Sequence, residues 1–157
     1  MKTFGMLVVG VVLGAILTGV ASWTMMPGMM INESASPLGL EETVEKIKQN
    51  ALAKGWVVAS VAPLDQSVKK HGGGDLPPVR LINLCQANHA FNILQQDQNK
   101  KISVFMPCTI AVYQKTDGKA YISSMNAGLL GKMFGGRVAE VMTDVSADQQ
   151  GFIAFAN

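Results

Sequence analysis

Charged residues are scarce in this chain. They make up 15% of its 157 residues, against about 25% in a typical soluble protein. The 13 Lys and Arg residues against 11 Asp and Glu residues give a formal net charge of +2, and they form no basic cluster. Because nucleic-acid binding needs a basic patch that neutralises phosphates, nucleic acid is not expected as a partner.

Familiar catalytic motifs are also missing. The sequence has no Gly-x-Ser-x-Gly and no His-Glu-x-x-His, so hydrolase mechanisms have no support. Cys-x-x-Cys is absent as well, which weakens the hypothesis of a thiol oxidoreductase, and Cys-x-x-Cys-His, which would attach a c-type haem, is also absent. The sequence therefore favours a protein that is not an enzyme.

The N-terminus carries a long apolar run. Residues 4–31 contain only weakly polar interruptions, and about 20 apolar residues suffice for a helix to cross a bilayer core. Lys2 precedes the run and acidic residues follow it. This bias predicts a single-pass anchor in the inner (cytoplasmic) membrane, with the C-terminal part on the exported, periplasmic side. A cleaved signal peptide is the alternative, because Gly19-Val20-Ala21 has the small residues of a cleavage site.

Three segments are predicted along the chain. Residues 1–31 form the anchor or signal peptide, residues 32–39 a polar linker, and residues 40–157 one exported domain. Within the anchor, Gly10 and Gly14 form a Gly-x-x-x-Gly pair, a spacing that lets two membrane helices approach closely. The methionine-rich stretch 25–30 is interpreted as an apolar exit from the bilayer that ends at Pro27-Gly28.

The exported domain is predicted to be α+β. Apolar residues recur at helical or strand spacing between turn-forming residues. The predicted helices span 40–54, 86–96 and 127–134, and the predicted strands span 56–62, 79–84, 102–113 with a break at Pro107, and 120–125. Residues 116–119 are typical of a hairpin turn, and Ser146 with Gln149 resembles a capping box that opens a last helix. This order predicts helices packed on a mainly antiparallel sheet.

Several short motifs between residues 76 and 141 resemble those of a known family. In chain order they are Leu76-Pro77-Pro78, Leu84-Cys85-Gln86-Ala87-Asn88-His89-Ala90, Phe105-Met106-Pro107-Cys108, Asp117-Gly118-Lys119, Ser124-Met125-Asn126 and Lys132-Met133-Phe134-Gly135-Gly136. Their order and spacing are similar to those of the domain of unknown function 302 family, over about residues 40 to 145. The resemblance implies a two-layer fold likened to that of the TATA-binding protein, and often a homodimer. It implies no DNA binding and no settled activity. Since many members lack these two cysteines, any cysteine chemistry would belong to a cysteine-containing, membrane-anchored subgroup.

Two cysteines and a histidine form the candidate site. Cys85 is expected where a strand ends and a helix begins, His89 follows one helical turn later, and Cys108 follows Pro107. Two sulfurs and an imidazole suit a soft metal or haem, with His71 or Met106 as further ligands. A structural Cys85–Cys108 disulfide is the alternative, since exported proteins fold in an oxidising compartment. In a third reading both cysteines are buried apolar residues without chemistry.

The sequence therefore leaves two candidate functions. The first is a membrane-tethered binding or accessory protein that handles a soft metal or a thiol or sulfur species through Cys85 and Cys108. The second is a structural or assembly module that acts as a dimer, with a disulfide or with inert cysteines. Asn126, which follows a predicted strand, is interpreted as a helix cap rather than as a ligand.

Overall fold

The computed structural model describes residues 2–156, with side chains described from residue 10 onward. It begins with a long helix, α1 (Lys2–Met30). Within it, Gly10–Met30 is long and apolar enough to cross a membrane, and none of that stretch is buried against the rest of the protein. The predicted end at Pro27-Gly28 is wrong, because the helix continues through Pro27 to Met30. Pro27 removes a single backbone donor, and the following residues stay helical.

Five strands form one antiparallel sheet in the order β1-β5-β4-β3-β2. The strands are β1 (Ile31–Ala35), β2 (Val57–Pro63), β3 (Val79–Cys85), β4 (Cys108–Gln114) and β5 (Ala120–Met125). The helices are α2 (Leu40–Ala53), α3 (Leu64–Lys70), α4 (Ala87–Leu94), α5 (Ala127–Phe134) and α6 (Gly136–Phe152), with 3-10 helices at Asp97–Phe105 and Ala154–Ala156. The predicted α+β class with a mainly antiparallel sheet is confirmed.

The core lies between one face of this sheet and the helices. α2 packs against α6 and contacts β2, β3, β4 and β5. Alternate residues of the central strands point into this layer and are fully buried, among them Ile82, Leu84, Ile110 and Val112. Burying each such side chain stabilises the fold by about 1.5–3 kcal/mol.

The segment predicted as a polar linker, 32–39, is only partly a linker. Its first residues belong to β1, all five residues of which pair with β5. The sequence Ile-Asn-Glu-Ser-Ala has few of the β-branched residues that mark strands, so its pairing depends on the partner strand rather than on local preference. As an edge strand it tolerates a polar composition.

Two further boundary predictions are wrong. The predicted strand 102–113 begins only at Cys108, because 97–105 forms a 3-10 helix that buries Ile102. Pro107 therefore precedes β4 instead of interrupting a strand, which suits a residue without an N–H donor. The capping box at Ser146 and Gln149 does not open a helix, because both lie inside α6. That helix is continuous, since its apolar residues recur at helical spacing up to Phe152.

Several predicted turns and caps are confirmed. α2 ends just before Gly55, which has a φ of +76°, a value that favours glycine. The predicted hairpin turn joins β4 to β5, with Gly118 at a φ of +77°. Asn126 caps α5, since its side chain accepts a hydrogen bond from the Leu129 N–H at 3.1 Å. The same side chain donates to the Met29 carbonyl at 3.0 Å, and so it also ties α1 to the domain.

Candidate functional site

The two cysteines lie at the same end of two adjacent strands. Cys85 is the last residue of β3 and Cys108 is the first residue of β4. In the antiparallel ladder between these strands, Cys108 is paired with Leu84, the residue next to Cys85. The sequence prediction that Cys85 sits at a strand-to-helix junction is confirmed, since α4 begins two residues later.

Both cysteines line one small cavity, hereafter the thiol cavity. Its volume is about 30 Å³, close to the share of one water molecule in the liquid. Its other walls are almost entirely apolar and come from five parts of the fold. They include Trp56, Leu84, Ile93, Ile102, Phe105 and Val145. A haem is far larger than this space, so of the predicted cofactors only a single ion fits the cavity as it stands.

Both cysteines are free thiols in this structure. Burial raises the pKa of the Cys108 thiol to about 11, from an ordinary value of 9.0, and the nearby Cys85 adds to the effect. Burial acts in this direction because it penalises the charged thiolate. Cys108 is therefore protonated at neutral pH, and a bound cation would have to displace its proton. The Cys85–Cys108 disulfide stays a prediction.

His89 also lines the thiol cavity, as its position one helical turn after Cys85 predicts. Its ring lies 5.7 Å from that of Trp56, and its Nε2 lies 3.7 Å from Asp148 Oδ2. At that distance the imidazole and the carboxylate interact electrostatically but do not form a hydrogen bond. Its backbone N–H donates to the Gln86 side chain at 2.7 Å, which caps the start of α4.

Asp148 is held in place by two donors. Trp56 Nε1 donates to Oδ2 at 2.9 Å, and Lys54 Nζ donates to Oδ1 at 3.0 Å. Burial alone would raise the pKa of this carboxyl, but the bonds from Trp56 and Lys54 outweigh it and lower the pKa below its ordinary value. Asp148 is therefore a fixed negative charge beside His89 at the edge of the thiol cavity.

The remaining predicted ligands divide between two places. Met106 lines the thiol cavity, whereas His71 lies exposed at the end of α3 and does not contribute to the cavity. Across the part of the chain that the structure describes, no three His, Cys, Asp or Glu side chains lie together as a ready metal-binding group. The three-ligand site of Cys85, Cys108 and His89 stays a prediction, since it would require His89 to turn toward the sulfurs.

Trp56 and Asp148 belong to this site although the sequence does not predict a role there for either. The sequence predicts Trp56 only as part of a buried strand, and Asp148 lies 92 residues further along the chain. The available signal was the i, i+3, i+4 spacing of α6, which places Val145 at the thiol cavity and Asp148 close by. That spacing does not by itself reveal which strand end the helix covers.

Comparison with known proteins assigns the chain to a family. A family model described as "Domain of unknown function DUF302" matches residues 32–155. A crystal structure of a conserved DUF302 protein from Bacillus stearothermophilus superposes with a TM-score of 0.73 at 20% identity, covering 82% of this chain and 99% of that one. At this identity the likeness shows the fold alone. Curated proteins give no match. The predicted resemblance is confirmed, and the chain belongs to the DUF302 family.

Proposed function

We propose that this chain is a membrane-tethered, non-enzymatic accessory protein that binds a soft metal ion, Cu(I), through Cys85 and Cys108. The observation that carries the proposal is that both thiols line one small apolar cavity. Thiolates are soft ligands that select Cu(I) over hard cations such as Mg²⁺. Two thiolates together carry more negative charge than one monovalent ion, so a nearby cation would complete the charge balance, whereas a neutral histidine would add a ligand but no charge.

The walls of the thiol cavity support a weakly hydrated occupant. Trp56, Ile93 and Phe105 offer no oxygen ligands there, and a hard cation would lose its water shell without replacement. A volume of about 30 Å³ is suited to one unhydrated ion. Because Cys108 is protonated at neutral pH, Cu(I) binding would release protons. A neutral sulfur species such as hydrogen sulfide is the other soft occupant, and its binding would release none.

His89 and Asp148 support a third ligand at the cavity wall. A metal-binding histidine usually directs its second ring nitrogen at a carboxylate, which fixes the ring. His89 Nε2 already lies 3.7 Å from Asp148, and Asp148 is itself fixed by Trp56. His89 would become that third ligand by turning one ring nitrogen toward the sulfurs while the other stays near Asp148.

The N-terminal helix supplies the tether and the compartment in this proposal. α1 contains one stretch long and apolar enough to span a membrane, with Lys2 before it and Glu33 after it. That charge bias favours a periplasmic domain on an inner-membrane anchor. An alkaline phosphatase fused after Asn157 is expected to be active, and an inactive fusion together with an active cytoplasmic reporter would contradict this orientation.

Anaerobic titration with Cu(I) tests the binding proposal. The full chain in detergent, competing with bicinchoninate, is expected to bind one Cu(I) per chain. The double variant Cys85→Ser, Cys108→Ser is expected to bind none. Met29→Leu with Met133→Leu is the matched control, because these thioethers line a separate groove between α1 and α5. Equal binding by the wild type and the cysteine variant, or no binding by either, would overturn the proposal.

A dimeric assembly module is the second candidate function. No other part of the protein lies near Gly10 or Gly14 on the surface of α1, so a second helix can approach them closely. The domain also exposes apolar side chains, with Phe91 66% and Val104 76% accessible. Under this alternative, the full chain is a dimer in detergent that Gly10→Ile weakens, and the cysteine variant keeps all biological function.

A further inference from the structure

A second cavity, hereafter the polar cavity, lies at the β1 edge of the sheet, away from the thiol cavity at the ends of β3 and β4. Its volume is about 250 Å³, several times the roughly 30 Å³ that one water molecule occupies in the liquid. One wall comes from β1 and β5, where Asn32 is paired with Ser124. The other wall comes from the last turns of α6, where Ser146, Gln149 and Gln150 share one helix face.

The walls of the polar cavity are polar although they belong to the core layer. Gln149 is only 5% exposed and Ser124 only 6%. The equivalent buried positions on neighbouring strands and helical turns are occupied by isoleucine, leucine and valine. The buried hydroxyl of Ser34 has no hydrogen-bond partner among the described residues. This hydroxyl is closed off from water-sized molecules, so the polar groups that an occupant can reach are those of Ser124, Ser146 and Gln149. Polar side chains that line a cavity in an otherwise apolar layer indicate an occupant that forms hydrogen bonds with them.

The charge of the lining decides the class of that occupant. Glu33 is the one charged residue among the described residues of the lining. Its carboxylate bonds to Lys115 Nζ at 2.9 Å and accepts a hydrogen bond from the Tyr113 hydroxyl, so its charge is already balanced. Serine hydroxyls and glutamine amides both donate and accept hydrogen bonds, which suits hydroxyl groups better than ions.

We infer that the polar cavity binds a small neutral polyhydroxy compound, of the size of a polyol or a monosaccharide. The compound would hydrogen-bond with Ser124, Ser146 and Gln149, and Asn32 and Gln150 stand exposed at the mouth. The site is independent of the thiol cavity, because the lining of the two cavities has no residue in common. It is also independent of the proposed copper binding.

Titration followed by ¹H–¹⁵N NMR of the full chain tests this inference. The detergent is dodecylphosphocholine, because maltoside detergents carry sugar headgroups that would compete. D-glucose and glycerol are the probes, and sodium acetate and ammonium chloride are charged controls. At least one neutral probe is expected to shift the side-chain amide signals of Gln149 and Gln150 in a saturable way, whereas the charged controls leave them unchanged.

Two variants separate binding from folding. Gln149→Leu keeps the side-chain volume and is expected to weaken probe binding by about tenfold or more, the equivalent of one buried hydrogen bond. Ser34→Ala removes a hydroxyl that is closed off from the cavity and is expected to leave probe binding unchanged. Gln66→Leu, on the exposed face of α3, is the matched control and should bind as the wild type does. Absence of any saturable shift with both neutral probes would mean that the cavity holds only water and would overturn the inference. Binding of the probes by Gln149→Leu as tightly as by the wild type would overturn it too.

Discussion

Two cavities under one sheet differ in almost every property. The thiol cavity has a volume of about 30 Å³ and apolar walls with two thiols, whereas the polar cavity has a volume of about 250 Å³ and walls of serine and glutamine. α6 borders both, because Val145 lines the first and Ser146 lines the second. A single helix thus borders two different chemistries, one at the ends of β3 and β4 and the other at the β1 edge of the sheet, and the wall decides which occupant each cavity can hold.

The largest expected effect is a double dissociation between the two cavities. The variant Cys85→Ser, Cys108→Ser should lose Cu(I) affinity by several orders of magnitude, because serine hydroxyls are poor ligands for a soft ion. It should still give the glucose- or glycerol-dependent NMR shifts of the wild type. Gln149→Leu should behave in the opposite way in the same two titrations. If either variant lost both activities, the two cavities would not be independent sites.

Substitution of one wall residue in each cavity should change the free energy of unfolding by different amounts. Ile93 is 1% exposed and lines the thiol cavity, so Ile93→Ala is expected to lower the free energy of unfolding by about 2–5 kcal/mol. Gln149→Leu replaces a buried polar side chain with an apolar one of similar volume and should change it by less than about 1.5 kcal/mol, or raise it. Urea denaturation followed by tryptophan fluorescence measures both. A larger loss for Gln149→Leu would mean that its amide is fully satisfied within the protein.

The thiol cavity should also make the stability sensitive to alkali. The native state holds the Cys108 proton up to a pKa of about 11, against 9.0 for the unperturbed thiol. Its contribution to the free energy of unfolding is therefore fully present below pH 9 and is lost as the pH rises toward 11, by about 3 kcal/mol. The control is the variant Cys108→Ala, whose free energy of unfolding should not show this part of the decrease at alkaline pH. Identical pH profiles for the two proteins, measured by urea denaturation, would contradict the buried, protonated thiol.

The smallest expected effect concerns the hydrogen bond behind His89. Trp56→Phe keeps an aromatic ring against Phe152, whose centroid lies 5.4 Å away, but removes the Nε1 donor to Asp148. We expect a loss of about 1 kcal/mol in the free energy of unfolding, and a higher pKa for Asp148 in NMR titration, because that donor helps to lower it. No change in the Asp148 pKa would show that the bond does not hold the carboxylate in solution.

Local chemistry allowed Cys85 and Cys108 to be singled out from the sequence. Cysteine is rare here, so Cys85 and Cys108 stand out. Both lie near the ends of predicted elements, and they come close together because β3 and β4 are neighbours in the sheet. The cap at Asn126 and the turn at Gly118 were predictable for the same reason, since one residue's own side chain or backbone freedom decides each of them.

The polar cavity could not be anticipated in the same way. Serine and glutamine are common on surfaces, so nothing in Ser34 or Gln149 alone indicates burial. They meet only because β1 pairs with β5 and α6 crosses that edge. The pairing of Asp148 with Trp56 is equally non-local. Contacts of this kind depend on the sheet order, which periodicity within a segment does not determine.

X-ray absorption at the copper edge of the Cu(I)-loaded full chain tests the central claim most directly. The account predicts two sulfur atoms in the first coordination shell, at a distance of about 2.3 Å by analogy with zinc thiolates, with at most one nitrogen from His89. It also predicts that the sulfur signal disappears in the Cys85→Ser, Cys108→Ser variant. A shell of nitrogen and oxygen atoms only, or a sulfur shell that survives in that variant, would contradict it.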